Sequence, residues 1–517
     1  MDRLVVLDFG SQTTHLIARR LREGGILTEV VSGDAPLSSW WNEETRGVIL
    51  SGSPASVHDH DAPIFDGELL RRNVPVLGIC YGLQRLVADA GGTVANREKR
   101  EYGRAAVELD RTDPLLDGLS SRFTAWMSHG DSVERLPEGA TVLAETRNGV
   151  PAVLSLQGSV PMYGLQFHPE VSHTDGGREI LLNFATEVCG ARPEWSIQVY
   201  LDQMREEIPG RVGQRPVLLL ISGGVDSTVV AATLLTVLPP EQVHLMYVDT
   251  GLMRLDETRE VTAELRKLGA RNLYIIDAET EFLSALDGVI DPERKRHIIG
   301  DLFMTVQERE IARHVPEEYV LAQGTLYTDL IESGRGVGTK AKVIKSHHNV
   351  ASPLVAAKRE AGLLLEPLSA LYKDEVRELG ELLGLSEEVV HRHPFPGPGL
   401  AVRIIGAVTK ERCDILRAAD AIYIEELRNR RLYREIWQAF SVLLPVQSVG
   451  VAGDAREYGG VLALRAVESR DGMTADVYPF PTEDLLEISS RITNEVHGIG
   501  RVVYDVSSKP PATIEWE

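Results

Sequence analysis

Residues 217–235, VLLLISGGVDSTVVAATLL, limit what this chain can fold into more than any other stretch. Val217 to Ile221 form an unbroken apolar run of the kind that builds a strand buried inside a parallel sheet. Ser222, Gly223 and Gly224 end the run and 228–235 reads as helix, so the polar residues fall on a strand-to-helix turn. Backbone N–H groups and the positive end of the helix dipole converge at such a turn, which makes it attractive to phosphate. A kinase-type phosphate loop carries a lysine within the loop. Here no Lys or Arg stands between Arg215 and Arg254. The amides of Ser222, Gly223, Gly224, Val225, Asp226, Ser227 and Thr228, with the hydroxyls and the Asp226 carboxylate, suit a pyrophosphate that stays bound while the α-phosphorus is attacked. Asp226 would then hold Mg²⁺ through its oxygens. The plainer reading is a tight turn in which Asp226 caps the helix.

With 517 residues the chain exceeds one core, and two to four domains are expected. A net charge of −22 works against nucleic acid and anionic membrane as partners. The basic clusters REKR (97–100), RKRH (294–297) and RNRR (428–431) are short and interleaved with acid, and read as solvated loop or helix surface. No apolar run reaches transmembrane length, and MDRLVVLDFG reads as a strand and not a signal peptide, so a cytoplasmic protein is expected. Cys80, Cys189 and Cys413 are too few and unevenly spaced for a disulfide framework or a zinc cluster, which leaves a thiol free to act as nucleophile.

Apolar runs at 4–7 and 48–50 flank a helical pattern at 14–23, the signature of a βαβ unit and a parallel sheet. Between a strand-like 74–79 and a helical 83–90 lies Gly78-Ile79-Cys80-Tyr81-Gly82. A nucleophile on a strained strand-to-helix turn needs small residues two before and two after it, and a helix N-terminus favours the thiolate. A base and an orienter for that thiol follow the strand 162–167 as His168-Pro169-Glu170. The run His58-Asp59-His60-Asp61 lacks helical ligand spacing and reads as surface loop.

An amphipathic helix at 195–208 marks a boundary after the first domain. Strands at 243–249, 272–277 and 320–323 extend the second sheet, with Asp249 and Asp277 placed either to line a nucleotide site or to cap helices. Phe395-Pro396-Gly397-Pro398-Gly399 is a rigid turn, and beyond it strands at 442–451 and 461–467 with helices at 411–428 and 482–496 predict a small α+β domain. The prolines of 509–517 predict a docked, extended and functional end or, on the plainer reading, one in which Ile514 and Trp516 merely pack and Lys509 is a surface charge.

GICYGLQ with LQFHPEV closely resembles the class I glutamine amidotransferases, and SGGVDST resembles the loop of the N-type ATP pyrophosphatases. QGTLYTDLIES, IKSHHNV, EPLSALYKDEVRELG, HPFPGPGLAVRIIG and SKPPATIEWE resemble the glutamine-hydrolysing GMP synthetases over nearly the whole chain. The resemblance implies two doubly wound parallel α/β domains, 1–191 and 192–393, and a small α+β dimerisation and substrate domain, 394–517. It implies that Cys80, His168 and Glu170 release ammonia from glutamine, with the oxyanion held by backbone N–H groups at Gly52–Ser53 and Tyr81. WMSHGD (126–131) would be a substrate loop. ATP with Mg²⁺ would adenylate the 2-oxygen of xanthosine 5′-monophosphate (XMP), and ammonia would displace AMP. Lys509, Ile514 and Glu515 would serve XMP, Lys373 and Asp329 are further candidates, and 291–346 is a lid candidate. A homodimer with no tightly bound organic cofactor and no nucleic-acid or membrane partner is implied. The chain departs from the pattern at Ser53, at Thr328 and at Ala351-Ser352-Pro353-Leu354. His347-His348 form a poor metal pair and suit phosphate or packing. The rivals are another adenylating amidotransferase and a non-catalytic nucleotide-binding module. Thiolation would need cysteines that the pyrophosphatase stretch lacks before Cys413, and intact Cys80, His168, Glu170 and Asp226 argue against the module.

Overall fold

The computed structural model describes residues 1–332, 353–452, 455–469 and 474–517. They form two compact units, one of 1–202 with 326–332 and one of 203–325 with the described residues from 353 onward. Ser333, Ala351 and Ser352, with all of IKSHHNV, His347 and His348 included, and the later part of the lid candidate, lie outside the described residues.

The first unit is built on nine strands: β1 (Arg3–Asp8), β2 (Leu27–Ser32), β3 (Thr45–Leu50), β4 (Val76–Ile79), β5 (Thr93–Leu109), β6 (Arg122–Arg135), β7 (Thr141–Thr146), β8 (Pro151–Leu156) and β9 (Met162–Leu165). Their order is β2-β1-β3-β4-β9-β8-β7-β5-β6. From β2 to β9 neighbours run parallel, and from β9 to β6 antiparallel. The sheet is therefore mixed, a correction to the fully parallel expectation. The physical reason is connection length: β7 and β8 are joined by four residues, 147–150, too few for the crossover that parallel pairing requires. β2 also went unanticipated, because LTEVVS alternates weakly and lies at the sheet edge. Val5, Leu7, Val48, Leu50, Val76 and Leu83 are buried together where the parallel strands meet the helix Tyr81–Asp89.

The second unit contains a parallel sheet of β10 (Val217–Ile221), β11 (Val243–Asp249), β12 (Asn272–Asp277), β13 (Val320–Ala322) and β14 (Leu364–Leu365), ordered β12-β11-β10-β13-β14. β10 is central, with chain leaving to both sides, which is the switch point where ligands of open α/β sheets bind. The helix that follows begins at Val225 and not at 228, so Asp226 and Ser227 lie in its first turn. Val229, Val230, Ala231 and Ala232 are buried, which is why this helix lacks a polar face.

The same unit carries β15 (Gln438–Ala452) antiparallel to β16 (Ala455–Glu468), which pairs antiparallel with β17 (Asp476–Val477) and parallel with β18 (Ile499–Tyr504). Helices Lys410–Asn429 and Thr482–Glu495 pack on this sheet. Leu416, Tyr423, Leu462 and Ile492 share one core cluster with Phe282, Leu286 and Val306, so this α+β part and the parallel sheet bury a common interior. One surface expectation fails here: Lys295 of RKRH has no exposed side-chain area.

Candidate active site

β4 and β9 are parallel neighbours, Ile79 opposite Leu165, so Cys80 and His168 leave the sheet at the same end. Cys80 sits at φ 52°, ψ −103°, at the N-terminus of Tyr81–Asp89. Few side chains tolerate that backbone, and close packing on both sides holds it there. A Cβ on Gly78 would come within 2.5 Å of Leu83 N, and one on Gly82 within 2.3 Å of Leu50 O, so glycine is required at both positions of G-x-C-x-G. The Cys80 N–H donates to Leu165 O at 2.6 Å, tying the turn to the strand that delivers His168.

His168 Nδ1 lies 2.7 Å from Glu170 Oε1, which also accepts from Thr13 Oγ1 at 2.6 Å. His168 and Glu170 are both buried. Burial opposes a charged imidazole, but hydrogen bonds to Cys80 and Glu170 outweigh it and raise the His168 pKa to about 10. These contacts favour the protonated ring, beside a thiol that is a nucleophile only as thiolate. Gln166 Nε2 approaches Cys80 Sγ at 4.0 Å.

These groups open on a cavity of about 550 Å³ lined by Cys80, Tyr81, His168, Ser53, Gln84 and Trp126, among others. Ser128, His129, Gly130 and Asp131 of WMSHGD also line it, but from β6 and not from a loop. Ser53 and Tyr81, the oxyanion candidates, flank Cys80 there. Thr13, Gln84 and Gln166 were not anticipated. Thr13 and Gln166 lie at the ends of elements and Gln84 within the helix Tyr81–Asp89; Gln84 and Gln166 fall inside the GICYGLQ and LQFHPEV runs, which are the signal that could have found them, whereas nothing local marks Thr13. His58 and its neighbours form an exposed turn, and no cluster of three metal-ligating side chains occurs among the described residues. Cys80, Cys189 and Cys413 are free.

In the second unit the turn Ser222-Gly223-Gly224 follows β10, with Gly224 as N-cap. Ser227 Oγ and Thr228 Oγ1 both donate to Gly224 O at 3.0 Å, and Ser222 Oγ lies 3.1 Å from Ser227 Oγ. Asp226 does not cap. Its Oδ1 accepts from Lys373 Nζ at 2.5 Å. Asp249 takes Gly251 N–H and Thr258 Oγ1, and Asp277 takes Glu279 N–H, so both make local turn and cap bonds. Asp329 caps its own short helix by accepting from Leu326 N–H at 2.9 Å.

The C-terminal segment is docked. Glu515 is gripped by Arg403 at 3.1 and 2.8 Å and by Gln438 at 2.8 Å. Ile514 packs with Phe440, Val442 and Val467, and Trp516 donates to Asp505. The Lys509 backbone pairs with Ala475 in both directions.

The first unit has the class I glutamine amidotransferase fold: residues 5–188 match the family profile described as glutamine amidotransferase class-I. Residues 425–516 match the profile described as GMP synthase C terminal domain. "GMP synthase [glutamine-hydrolyzing]" of Thermosipho africanus is 48% identical over 522 residues, covering 100% of both chains. That of Aquifex aeolicus is 49% identical over 514 residues, covering 99% of each, and that of Eremothecium gossypii 50% over 523, covering 100% of this chain and 98% of the other. The chain belongs to the glutamine-hydrolysing GMP synthase family.

Proposed function

We propose that this chain is a ligase that makes GMP from XMP, ATP and glutamine, with the nitrogen released in the first unit and used in the second. The relatives' names support the overall reaction, and the His168–Glu170 contact of 2.7 Å beside Cys80 carries the residue-level reading. In that reading the Cys80 thiolate attacks the glutamine amide carbon, and backbone N–H groups at Ser53 and Tyr81 face the oxyanion. His168 gives its proton to the leaving ammonia and then takes one from the water that frees glutamate. Glu170 and Thr13 hold the ring in place.

In the second unit, Ser222 to Thr228 would cradle the ATP pyrophosphate by backbone amides and hydroxyls. The donor set suits Mg²⁺: Asp226 is a half-buried carboxylate that already accepts one cation, and Mg²⁺ is commonly held by one or two carboxylates plus substrate phosphates. Bound there, it would neutralise phosphate charge. The XMP 2-oxygen displaces pyrophosphate from the α-phosphorus, and ammonia then displaces AMP at the purine carbon. Lys509 would meet the XMP phosphate, Glu515 would accept from the ligand while held by Arg403, and Ile514 would seat the segment. Ammonia at neutral pH is mostly protonated and a poor nucleophile, a reason to join both chemistries in one chain.

The reading divides the chain at 1–191, 192–393 and 394–517, the last forming a homodimer in the cytoplasm. Among the described residues no helix is long and apolar enough to cross a membrane. Incubating the protein with XMP and ATP, with glutamine or with ammonium, and measuring GMP, AMP and pyrophosphate tests the proposal. Equal GMP, AMP and pyrophosphate from both nitrogen sources are expected, and glutamate release without AMP would reject it.

A further inference from the structure

Arg403, Arg465 and Lys295 are among the largest fully buried side chains, all three are cations, and all three are committed to residues 505–517. Arg465 donates to Ile514 O, Thr513 O, Ser507 O and Asp505 Oδ2 at 2.8–2.9 Å. Lys295 Nζ donates to Ala401 O at 3.1 Å, to Ile404 O at 2.8 Å and to Glu517 Oε2. An ammonium has three donors, and all three are used.

Ala401 and Ile404 flank Arg403, which grips Glu515. Lys295 therefore braces the backbone on both sides of Arg403 while holding the residue two beyond Glu515. The fastened points bracket 508–512, the arch that carries Lys509, whose register is fixed by its two backbone bonds to Ala475.

Stability alone is a poor reason for this arrangement. Lys295 sits in the first turn of helix Pro292–His314, against the helix dipole, and bears the desolvation of a fully buried ammonium. Well-packed apolar residues in place of a buried ion pair are often as stable or more so. What an apolar pair cannot supply is a fixed direction and register.

We infer that Lys295, acting through Glu517 and the Arg403 turn, is a positioning residue that pre-organises the substrate-facing arch around Lys509. The inference rests on the reading that Lys509 meets the XMP phosphate. Pre-organisation removes an ordering cost from binding and leaves the chemistry of bound substrate alone, so its loss enters KM.

The test compares full-length wild type with Lys295→Met/Glu517→Met, Glu517→Gln and Lys509→Ala, using ammonium as nitrogen source. The double variant is expected to stay folded and to keep basal glutamine hydrolysis, to raise KM for XMP roughly tenfold and to hold kcat within about twofold. Glu517→Gln keeps an acceptor of the same shape, folds as wild type and raises KM in the same direction by less. A wild-type KM for XMP in both pair variants, or a fall in kcat with KM unchanged, overturns the positioning role. If those results come with a raised KM in Lys509→Ala, only the positioning role falls. If Lys509→Ala itself has a wild-type KM, the substrate reading falls and the positioning role with it.

Discussion

Lys373 Nζ stands 2.5 Å from Asp226 Oδ1, and the two are 147 residues apart in sequence. The phosphate-type turn after β10 holds no lysine of its own, and the helix Lys373–Leu382 delivers one to its first carboxylate. A cation thus reaches this turn from another element of the chain.

Lys373→Met is expected to lower GMP formation with glutamine and with ammonium alike. A charge-assisted hydrogen bond of about 1.5–3 kcal/mol sets the loss at roughly ten- to a hundredfold. Asp226→Asn should fail with both nitrogen sources. Both side chains are partly exposed, so the melting temperature should move little. Full ammonia-dependent turnover in Lys373→Met would limit that residue to orienting Asp226.

Cys80→Ala should abolish glutamine-dependent GMP formation and leave ammonia-dependent synthesis largely intact, because the thiolate acts only on the amide. Assaying the folded variant at high ammonium decides the matter, and loss of both activities would contradict a two-site enzyme.

Thr13→Val keeps the side-chain shape and deletes the 2.6 Å bond to Glu170. Glutamine hydrolysis should fall by roughly ten- to a hundredfold in kcat, the weight of one hydrogen bond to a charged group, with a smaller change in KM. An unchanged kcat would show that His168 alone orients Glu170.

Two buried histidines give stability opposite pH dependences. The His393 pKa is lowered to about 4, chiefly by burial, while its Nδ1 accepts from Ala439 N–H at 3.2 Å. The unfolded chain binds its proton first, so its stabilising contribution is present above pH 6.5 and is lost as pH falls through about 4, at most roughly 3 kcal/mol. The His168 pKa is raised, so its contribution is full below pH 6.5 and lost as pH rises through about 10. Denaturant midpoints between pH 4 and 7 should fall more steeply with acid in wild type than in His393→Gln, and parallel slopes would refute the assignment.

Local chemistry was readable from the chain. Gly78-x-Cys80-x-Gly82 announced a strained turn at Cys80: the clash that demands Gly78 is local, with Gly82 and Leu83, whereas the one that demands Gly82 comes from Leu50 on a neighbouring strand. His168-Pro169-Glu170 announced the contact between the ring and the carboxylate, because the two stand only two residues apart. The apolar runs of β1, β3, β4, β10 and β11 predicted strands because burial on both faces leaves no alternation.

Sequence by itself thus determined the apolar parallel strands and the turns at their ends, since each depends on neighbours close in the chain, but not the edge strand β2 or the antiparallel strands β5 to β8. Tertiary structure alone decided that β4 and β9 lie side by side and so bring Cys80 to His168, and that Thr13 completes Glu170. It also decided that Lys373 reaches Asp226, and that Lys295, legible only as one charge in a basic run, is buried against Glu517. These pairings join residues 88 to 222 positions apart, counting 80 to 168 and 295 to 517, and are set by strand order and core packing, for which no local pattern codes.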